Sequence, residues 1–302
     1  MATTNFYKEV SSNKTRSFML LVMFSALLLV MGYFLGYIFG APIFGIIIAF
    51  AVAVIMSLIG FYSGQNAVLS LNGAKPIEKK DDIFYYNTVE GLCIAAGLPM
   101  PKLYMIQEES INAFASGRDP KHAVVCVTSG CRKRLNRQEF EGVIAHELSH
   151  VKNYDIRVMM LAAILAGSVV ILADIMLRSF LFGGGRRSGG KDSGGLGIVL
   201  ILVAIALAIL APIFAQMIKL AVSRKREYLA DATGAQLTRY PAGLSSALKK
   251  IRDDHDKVVD TANRATAHLY IENPLRNSKA FMSGLFSTHP PIDERIKRLE
   301  GM

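Results

Sequence analysis

The sequence predicts a mainly helical α+β integral membrane protein, with about four transmembrane helices and a domain outside the bilayer that contains a small sheet. Hydrophobic residues make up 52% of the 302 residues, more than a soluble domain of this size needs. Four apolar runs carry this excess, and each is near the ~20 residues that cross a bilayer as a helix. They are Ser17–Phe39, Ile43–Tyr62, Val158–Leu181 and Leu196–Ile218. Short β-prone segments between the second and third runs predict the sheet.

The first two runs predict a transmembrane hairpin over residues 17–62. The first run is longer than the apolar core of a cleavable signal, so we interpret it as a retained anchor. The turn at Gly40–Pro42 carries no charge, whereas both flanks are basic. The positive-inside bias therefore places both ends of the hairpin, including residues 1–16, in the cytoplasm. The flanking basic residues are Lys8, Lys14 and Arg16 before it and Lys75, Lys79 and Lys80 after it.

Residues 75–157 have the pattern of a domain outside the membrane. Ile83–Ala96 predicts an amphipathic helix that Gly97 ends. The β-prone runs follow it, separated by turn residues. They are Lys102–Ile106, Ala113–Ser116 and His122–Thr128. A helix and a small sheet thus precede the segment that carries the chemistry.

That segment is Val143–Val151, in which His146 and His150 are four residues apart and Glu147 follows the first histidine. On a helix, positions i and i+4 lie on one face, so both imidazoles can reach a single ion. Glu147 can then reach a water on the same ion and act as a general base. Asn136 with Glu139 three residues later predicts the capped start of this helix. The alternative is a surface helix with two solvated histidines.

A catalytic zinc site needs a third protein ligand, and Glu227 is the candidate. Asp231 lies one helical turn later, where its carboxylate could accept the free ring N–H of a ligating histidine. Taken alone, Glu227 is better explained as a solvated helix charge that pairs with a nearby arginine; only together with the histidine motif does it become the candidate ligand. Because His150 and Glu227 must meet at one ion, the apolar segment 158–218 between them crosses the bilayer an even number of times or not at all. Residues 219–302 then complete the domain.

The segment 158–218 forms a second predicted transmembrane or membrane-associated hairpin, joined by the Gly/Ser-rich stretch Gly183–Gly195. Asp174 and Arg178 interrupt its first run at a spacing that allows them to pair with each other on a helix. A functional intramembrane charge is the alternative interpretation.

The net charge of +10 does not indicate nucleic-acid binding. Lysine and arginine cluster beside the apolar runs, which favours contact with a membrane surface, and no base-reading motif is present. The three cysteines have no metal-pair spacing and are predicted to be reduced. They are Cys93, Cys126 and Cys131.

Taken in order, the motifs resemble those of the HtpX-type family of bacterial membrane metalloproteases, gluzincins related to the CAAX prenyl endopeptidases. The resemblance covers nearly the whole chain. It rests on the two N-terminal spans, Ile111–Gly117, His146–His150, the inserted apolar pair, Glu227–Asp231 and Ser287–Pro291. It implies a zinc endopeptidase of the bacterial inner membrane, with one zinc ion per chain and a site that faces the cytoplasm. It also implies polypeptide substrates, membrane proteins in particular, cleaved in quality control and the stress response.

The resemblance also implies residue roles. His146, His150 and Glu227 are expected to bind zinc, and Glu147 is expected to act as the catalytic base. Asp231 is expected to support a ligand. His289 is expected to donate a hydrogen bond to the oxyanion, with a simple turn residue before Pro290 as the alternative.

The segment around Ile111–Gly117 is predicted to be an edge strand that borders the cleft. Its backbone would pair with an extended substrate and give affinity with little dependence on side chains. The substrate-binding candidates are Asn112, Ala113, Phe114 and Ala115. Two other functions stay open at this point: a processing protease with a narrow substrate set, and a non-catalytic membrane protein whose zinc site is structural.

Overall fold

The computed structural model describes residues 6–38, 40–165, 167–168, 224–254, 269–271 and 290–302. Several predictions fall outside these residues. They concern most of the second apolar pair (residues 169–218), Asp174, Arg178, the Gly183–Gly195 stretch and His289.

Two long helices form the membrane hairpin. Helix α1 spans Phe6–Ile38 and helix α2 spans Pro42–Leu71. Within the described residues two helices, not four, are long and apolar enough to cross a bilayer: Val10–Phe34 of α1, with 25 residues, and all of α2, with 30. The helices approach closely at their turn end, where a Cβ added to Gly45 would overlap the carbonyl oxygen of Gly32.

Helix α2 is longer than the predicted run, which ends at Tyr62. Ser63, Gly64 and Gln65 lower the local hydropathy without breaking the helix. This last part of α2 packs on protein: a Cβ at Gly64 would lie 3.3 Å from Met160. Met160 belongs to helix α6, which covers residues 155–165 and begins directly after the motif helix.

A four-stranded sheet lies beside the hairpin, in the order β1-β2-β4-β3. Strand β1 pairs antiparallel with β2, β2 pairs parallel with β4, and β3 pairs antiparallel with β4. The three predicted strands are confirmed, and β1 is an addition that the sequence patterns missed. The strands are β1 (Lys75–Ile77), β2 (Lys102–Ile106), β3 (Ala113–Gly117) and β4 (Ala123–Thr128).

Both faces of the sheet are covered, because alternate residues of its strands enter two different cores. Ala115 and Val125 belong to the core that contains Phe140 and Ile144. Phe114 and Val124 belong to the core that contains Phe24 of α1, Val68 of α2 and Met160 of α6. The sheet therefore separates the helices of the domain from the membrane hairpin, with β3 at one edge.

The helices of the domain begin and end at residues with recognisable signals. Helix α3 begins after Asp82, whose side chain accepts the N–H of Tyr85, and ends at Gly97, with φ at 67°. The later helices pack around the motif helix α5, with α7 and α8 against α5 and α9 against α8. Their bounds are α3 (Ile83–Ala96), α4 (Ser129–Arg134), α5 (Arg137–Lys152), α7 (Arg224–Thr238), α8 (Pro241–Asp253) and α9 (Ile292–Glu300).

Candidate metal centre

Helix α5 carries His146, Glu147 and His150, and its start is defined by a capping box. The Asn136 side chain accepts the N–H of Glu139, and the Glu139 carboxylate accepts the N–H of Asn136. The predicted helix and its cap are confirmed. The two histidines are only 1% and 4% exposed, so the alternative of two solvated histidines is wrong.

The two ring nitrogens that face each other are the Nε2 atoms of His146 and His150, 3.2 Å apart. Helix α7 brings Glu227 to the same point, with Oε1 3.5 Å from Nε2 of His150 and Oε2 3.9 Å from Nε2 of His146. One donor atom from each residue lies within 4.8 Å of the other two. Glu227 is 2% exposed, so the alternative of a solvated helix charge is also wrong.

Carboxylates hold the far side of both imidazoles. Nδ1 of His146 lies 2.9 Å from Oδ1 of Asp231, and Nδ1 of His150 lies 2.8 Å from Oδ2 of Asp155. A proton on each Nδ1 leaves the Nε2 lone pair free, and both lone pairs then point to one place. Two imidazole nitrogens and one carboxylate form the ligand set of many catalytic zinc sites, which keep a fourth position open. The residues present therefore fit a zinc ion.

Asp231 lies between His146 and Arg295. The guanidinium of Arg295 binds both carboxylate oxygens, Nε to Oδ2 at 2.9 Å and Nη2 to Oδ1 at 2.8 Å. Burial opposes ionisation of Asp231, but the Arg295 charge and the His146 hydrogen bond outweigh it and lower the pKa of this carboxyl to about 2. Asp231 is therefore held as an anion 2.9 Å from Nδ1 of His146.

Asp155 has the corresponding place behind His150. Its Oδ1 lies 2.8 Å from Nε of Arg226, the residue before Glu227. Burial disfavours the imidazolium form of His150, but the Asp155 hydrogen bond and then the Glu227 charge outweigh it and raise the pKa of His150 to about 9. These carboxylates favour the charged ring, and a histidine must be neutral at the nitrogen that binds a metal, so metal binding here is coupled to proton release.

Glu147 is buried beside the ligands, and its carboxylate accepts the backbone N–H of Ala115 on the edge strand. Burial raises the pKa of Glu147, although the two histidines oppose the shift. Glu147 is not in the group of three residues whose donor atoms converge. It therefore joins these three residues to strand β3 without being one of the converging donors.

Comparison with known proteins identifies the family. The model of peptidase family M48 matches residues 86–302. The chain belongs to this family. Three curated relatives, each named "Protease HtpX homolog", align along nearly their whole length. The protein of Dictyoglomus thermophilum is 45% identical over 100% of this chain and 96% of its own. Those of Caldanaerobacter subterraneus subsp. tengcongensis and Lactobacillus helveticus are each 43% identical, over 100% and 98% of this chain and 99% of their own.

The crystal structure of S. mikatae Ste24p matches with a TM-score of 0.47 and 18% identity, over 97% of this chain and 66% of that one. By family membership and ligand set, the M48 chain is a zinc metallopeptidase, and its substrates are polypeptides.

The edge strand of the M48 chain lies where its backbone can reach the centre. Thr128 donates its N–H to the Asn112 carbonyl, so the backbone of Ala113 and Ala115 points away from β4. The Ala115 N–H meets Glu147, and the Ala113 carbonyl accepts the N–H of Ile271 at 3.0 Å. A short segment, residues 269–271, therefore already occupies one end of this edge.

Side chains of the edge strand are less available than its backbone. The Phe114 ring is buried in edge contact with Tyr270, with 5.1 Å between ring centroids. The Asn112 side chain is buried, and its amide oxygen accepts the Ala113 N–H at 3.1 Å. A role for these residues in substrate binding stays a prediction, and His289 lies outside the described residues.

Three charged residues of the centre are absent from the sequence predictions: Asp155, Arg226 and Arg295. A signal existed for Arg295, which shares one helical face with the apolar Ile292 and Ile296. An arginine on an otherwise apolar face requires a buried partner. Asp155 follows the end of the motif helix and carries no comparable mark.

Proposed function

We propose that the chain is a membrane-bound zinc endopeptidase that faces the cytoplasm, with His146, His150 and Glu227 as ligands and Glu147 as general base. The observation that carries the proposal is the convergence of three buried donor groups within 4.8 Å of one another, next to a buried glutamate. Asp155 and Asp231 support it, because they orient the two histidines toward that place.

Glu147 moves the proton in this mechanism. A zinc ion bound by the three ligands would polarise the scissile carbonyl and lower the pKa of the attacking water. The Glu147 carboxylate takes a proton from that water and later delivers it to the leaving amine. The Ala115 N–H orients this carboxylate from the edge strand. His289 is proposed as the donor to the oxyanion.

The substrate binds as an added strand along β3. Ala115 supports this placement, because its backbone points away from β4 and lies beside Glu147. Since residues 269–271 cover the edge at Ala113 and Glu147 accepts the Ala115 N–H, the substrate pairs from the Ala115 carbonyl toward Gly117. Pairing through the backbone would accept many sequences, as a protease of misfolded polypeptides requires.

The bilayer surrounds α1 and α2. Large apolar side chains on both helices are exposed in the isolated chain, Phe18 at 67% and Ile43 at 74%, which lipid contact would explain. Strand β1 begins four residues after α2 ends, so the domain emerges on the side of the basic flanks. Reporters fused after Lys80 and after Arg226 should both be cytoplasmic, and a reporter at Gly40 should be on the opposite side.

Misfolded or damaged membrane proteins are the proposed substrates, with a role in quality control under stress. The metal centre lies close to the membrane hairpin. Helix α6 begins right after the motif helix, and its Met160 packs in the same hydrophobic core as residues of α1 and α2. Such a site can reach the cytoplasmic ends of neighbouring membrane proteins.

The test is zinc content together with casein cleavage, measured on the purified full chain. Glu147→Gln should keep zinc and lose turnover by ~10²–10⁴-fold, the usual cost of losing a general base. Glu141→Gln is the matched control on the same helix, since Glu141 forms only a surface pair with Arg137. Turnover by Glu147→Gln at the wild-type rate would refute the mechanism.

A further inference from the structure

Asn13 is a fully buried polar residue in the first membrane helix, with 0% of its surface exposed. Its side chain reaches the turn that joins α5 to α6. We propose that Asn13 is a positioning residue of the metal centre: it holds Asp155, which orients His150, so that the first membrane helix is a structural part of the zinc site. The inference deepens the proposed function, because it rests on His150 as a zinc ligand.

The contacts of Asn13 use both N–H groups of its amide. Nδ2 donates to Oδ1 of Asp155 at 2.5 Å and to the backbone carbonyl of Asn153 at 2.8 Å. Asn153 lies in the turn that follows the motif helix, and Asp155 is the first residue of α6. The Asn13 side chain thus ties this turn and the start of α6 to the membrane hairpin, where Lys14 of α1 also lies over the Tyr154 ring.

Asp155 is held from three directions. His150 Nδ1 lies 2.8 Å from Oδ2, Arg226 Nε lies 2.8 Å from Oδ1, and the Asn13 amide donates to Oδ1. Arg226 comes from α7, next to the ligand Glu227, whereas Asn13 comes from outside the peptidase domain. The carboxylate behind one ligand therefore needs both the third-ligand helix and the membrane helix.

Chemistry explains why an amide suits this position. Removing a donor from a buried carboxylate destabilises the folded protein, because the oxygen is left without a hydrogen bond and water cannot replace the donor. Asparagine supplies two donors without adding a charge next to Arg226. An aspartate at this position would place a second carboxylate against Asp155 and would repel it.

The experiment measures zinc affinity and cobalt spectra on the full chain in detergent micelles, so it does not depend on turnover. Competition with a chelator gives the zinc dissociation constant, and the visible absorption of the Co²⁺-substituted protein reports ligand geometry. Asn13→Ala should weaken zinc binding ~10–100-fold, as losses behind a ligand usually do, and should shift the cobalt spectrum. Asn13→Asp should weaken binding more than Asn13→Ala.

Ser17→Ala is the matched control. Ser17 is buried in the same helix, one turn later, and its hydroxyl donates to the Asn13 backbone carbonyl. This variant should keep wild-type zinc affinity and the wild-type spectrum. In an Asp155→Asn background, Asn13→Ala should cause little further loss, because the relay is already broken.

Two results would overturn the inference: wild-type zinc affinity and spectrum in Asn13→Ala, or an equal loss in Ser17→Ala. If Asn13→Ala does not fold, Asn13→Gln decides, since it keeps both donors one methylene further out and should shift the cobalt spectrum. Failure of the proposed function has a different signature. In that case His150→Ala would bind zinc as tightly as the wild type.

Discussion

Arg295 and Asp231 form a bidentate ion pair in the interior, with two nitrogen–oxygen distances of 2.9 and 2.8 Å and no exposed surface on the arginine. The same guanidinium donates to the backbone carbonyl of Ile271 at 3.1 Å. Asp231 in turn lies behind His146. Helix α9 is thereby joined through Asp231 to the predicted zinc ligand His146, and through Ile271 to the segment 269–271 that lies on the edge strand.

Arg295→Met should destabilise the protein by about 3–5 kcal/mol, because it leaves the Asp231 carboxylate buried without its cation. It should also weaken zinc binding, since Asp231 would no longer be held as an anion behind His146. Thermal unfolding followed by circular dichroism and chelator competition measure the two effects.

Arg298→Met serves as the control for Arg295→Met. Arg298 is on the same helix, and its guanidinium lies over the Tyr228 ring, 3.7 Å from the centroid. Losing such a contact costs about 0.5–1 kcal/mol at an exposed site. Equal losses of stability and zinc affinity in the two variants would show that the buried Arg295–Asp231 pair contributes no more than an exposed contact.

Local patterns predicted the parts of the fold whose causes are local. Asn136 and Glu139 are three residues apart, so the capping box could be read from the sequence. The four-residue spacing of His146 and His150 likewise predicted that their rings converge on one face of the helix. Strand β1 was missed because it has three residues and contains Pro76.

Asp231 was predicted from its position one helical turn after Glu227, but the other residues behind the proposed ligands could not be, because they meet only through tertiary packing. Asn13 and Asp155 are 142 positions apart, and Arg295 and Asp231 are 64 apart. No periodicity of one helix brings such pairs together. Helix α2 shows the same limit, since its extension beyond Tyr62 packs on α6, a contact that local hydropathy does not reveal.

Gly142 and Gly91 should respond to alanine with opposite signs. A Cβ at Gly142 would lie 2.7 Å from the Leu244 nitrogen, so alanine must push α5 away from α8, at a cost of about 1–3 kcal/mol. No atom within 4 Å would meet a Cβ at Gly91, in α3. Alanine there should add up to about 1 kcal/mol through helix propensity.

Urea unfolding of the two glycine variants beside the wild type measures both changes. Zinc affinity provides a second readout, because α5 carries two of the proposed ligands. Gly142→Ala should weaken zinc binding and Gly91→Ala should not. A stabilising Gly142→Ala would mean that the α5–α8 contact relaxes without cost.

The capping box should make stability depend on pH. Burial opposes ionisation of Glu139, but Lys250, the Asn136 N–H and Ser246 outweigh it and lower its pKa. A lowered folded-state pKa adds stability above the unfolded-state pKa, about 4.3, and this stability is lost as pH falls through the lower folded value. Glu139→Gln should therefore unfold more easily than the wild type at pH 7, and the difference should shrink below about pH 4.

Unfolding by urea between pH 7 and pH 3, with chelator throughout so that zinc release does not contribute, tests the Glu139 prediction. Glu141→Gln is the control, because its exposed pair with Arg137 is worth little. A constant difference between Glu139→Gln and the wild type across this range would exclude a role for the carboxylate charge.

Zinc removal should distinguish the proposed base from the proposed ligands. A ligand that binds only the folded state stabilises it by about 4 kcal/mol at 1,000 times its dissociation constant. A chelator should therefore lower the melting temperature of the wild type. Glu227→Gln should have a lower melting temperature before chelation and should lose most of this shift, because it removes one of three converging donors.

Glu147→Gln should retain the full shift, because Glu147 is not one of the converging donors, although it is adjacent to His146 in the chain and equally buried. If being buried next to a histidine were enough to make a glutamate a ligand, Glu147→Gln and Glu227→Gln would lose the chelator-induced shift in melting temperature to the same extent. The geometry separates them: the Glu227 oxygens lie 3.5 and 3.9 Å from the ring nitrogens of the histidines, whereas the Glu147 carboxylate accepts from Ala115 on the edge strand. Loss of the chelator shift in Glu147→Gln would make Glu147 a ligand, and the general base would then have to come from elsewhere in the chain.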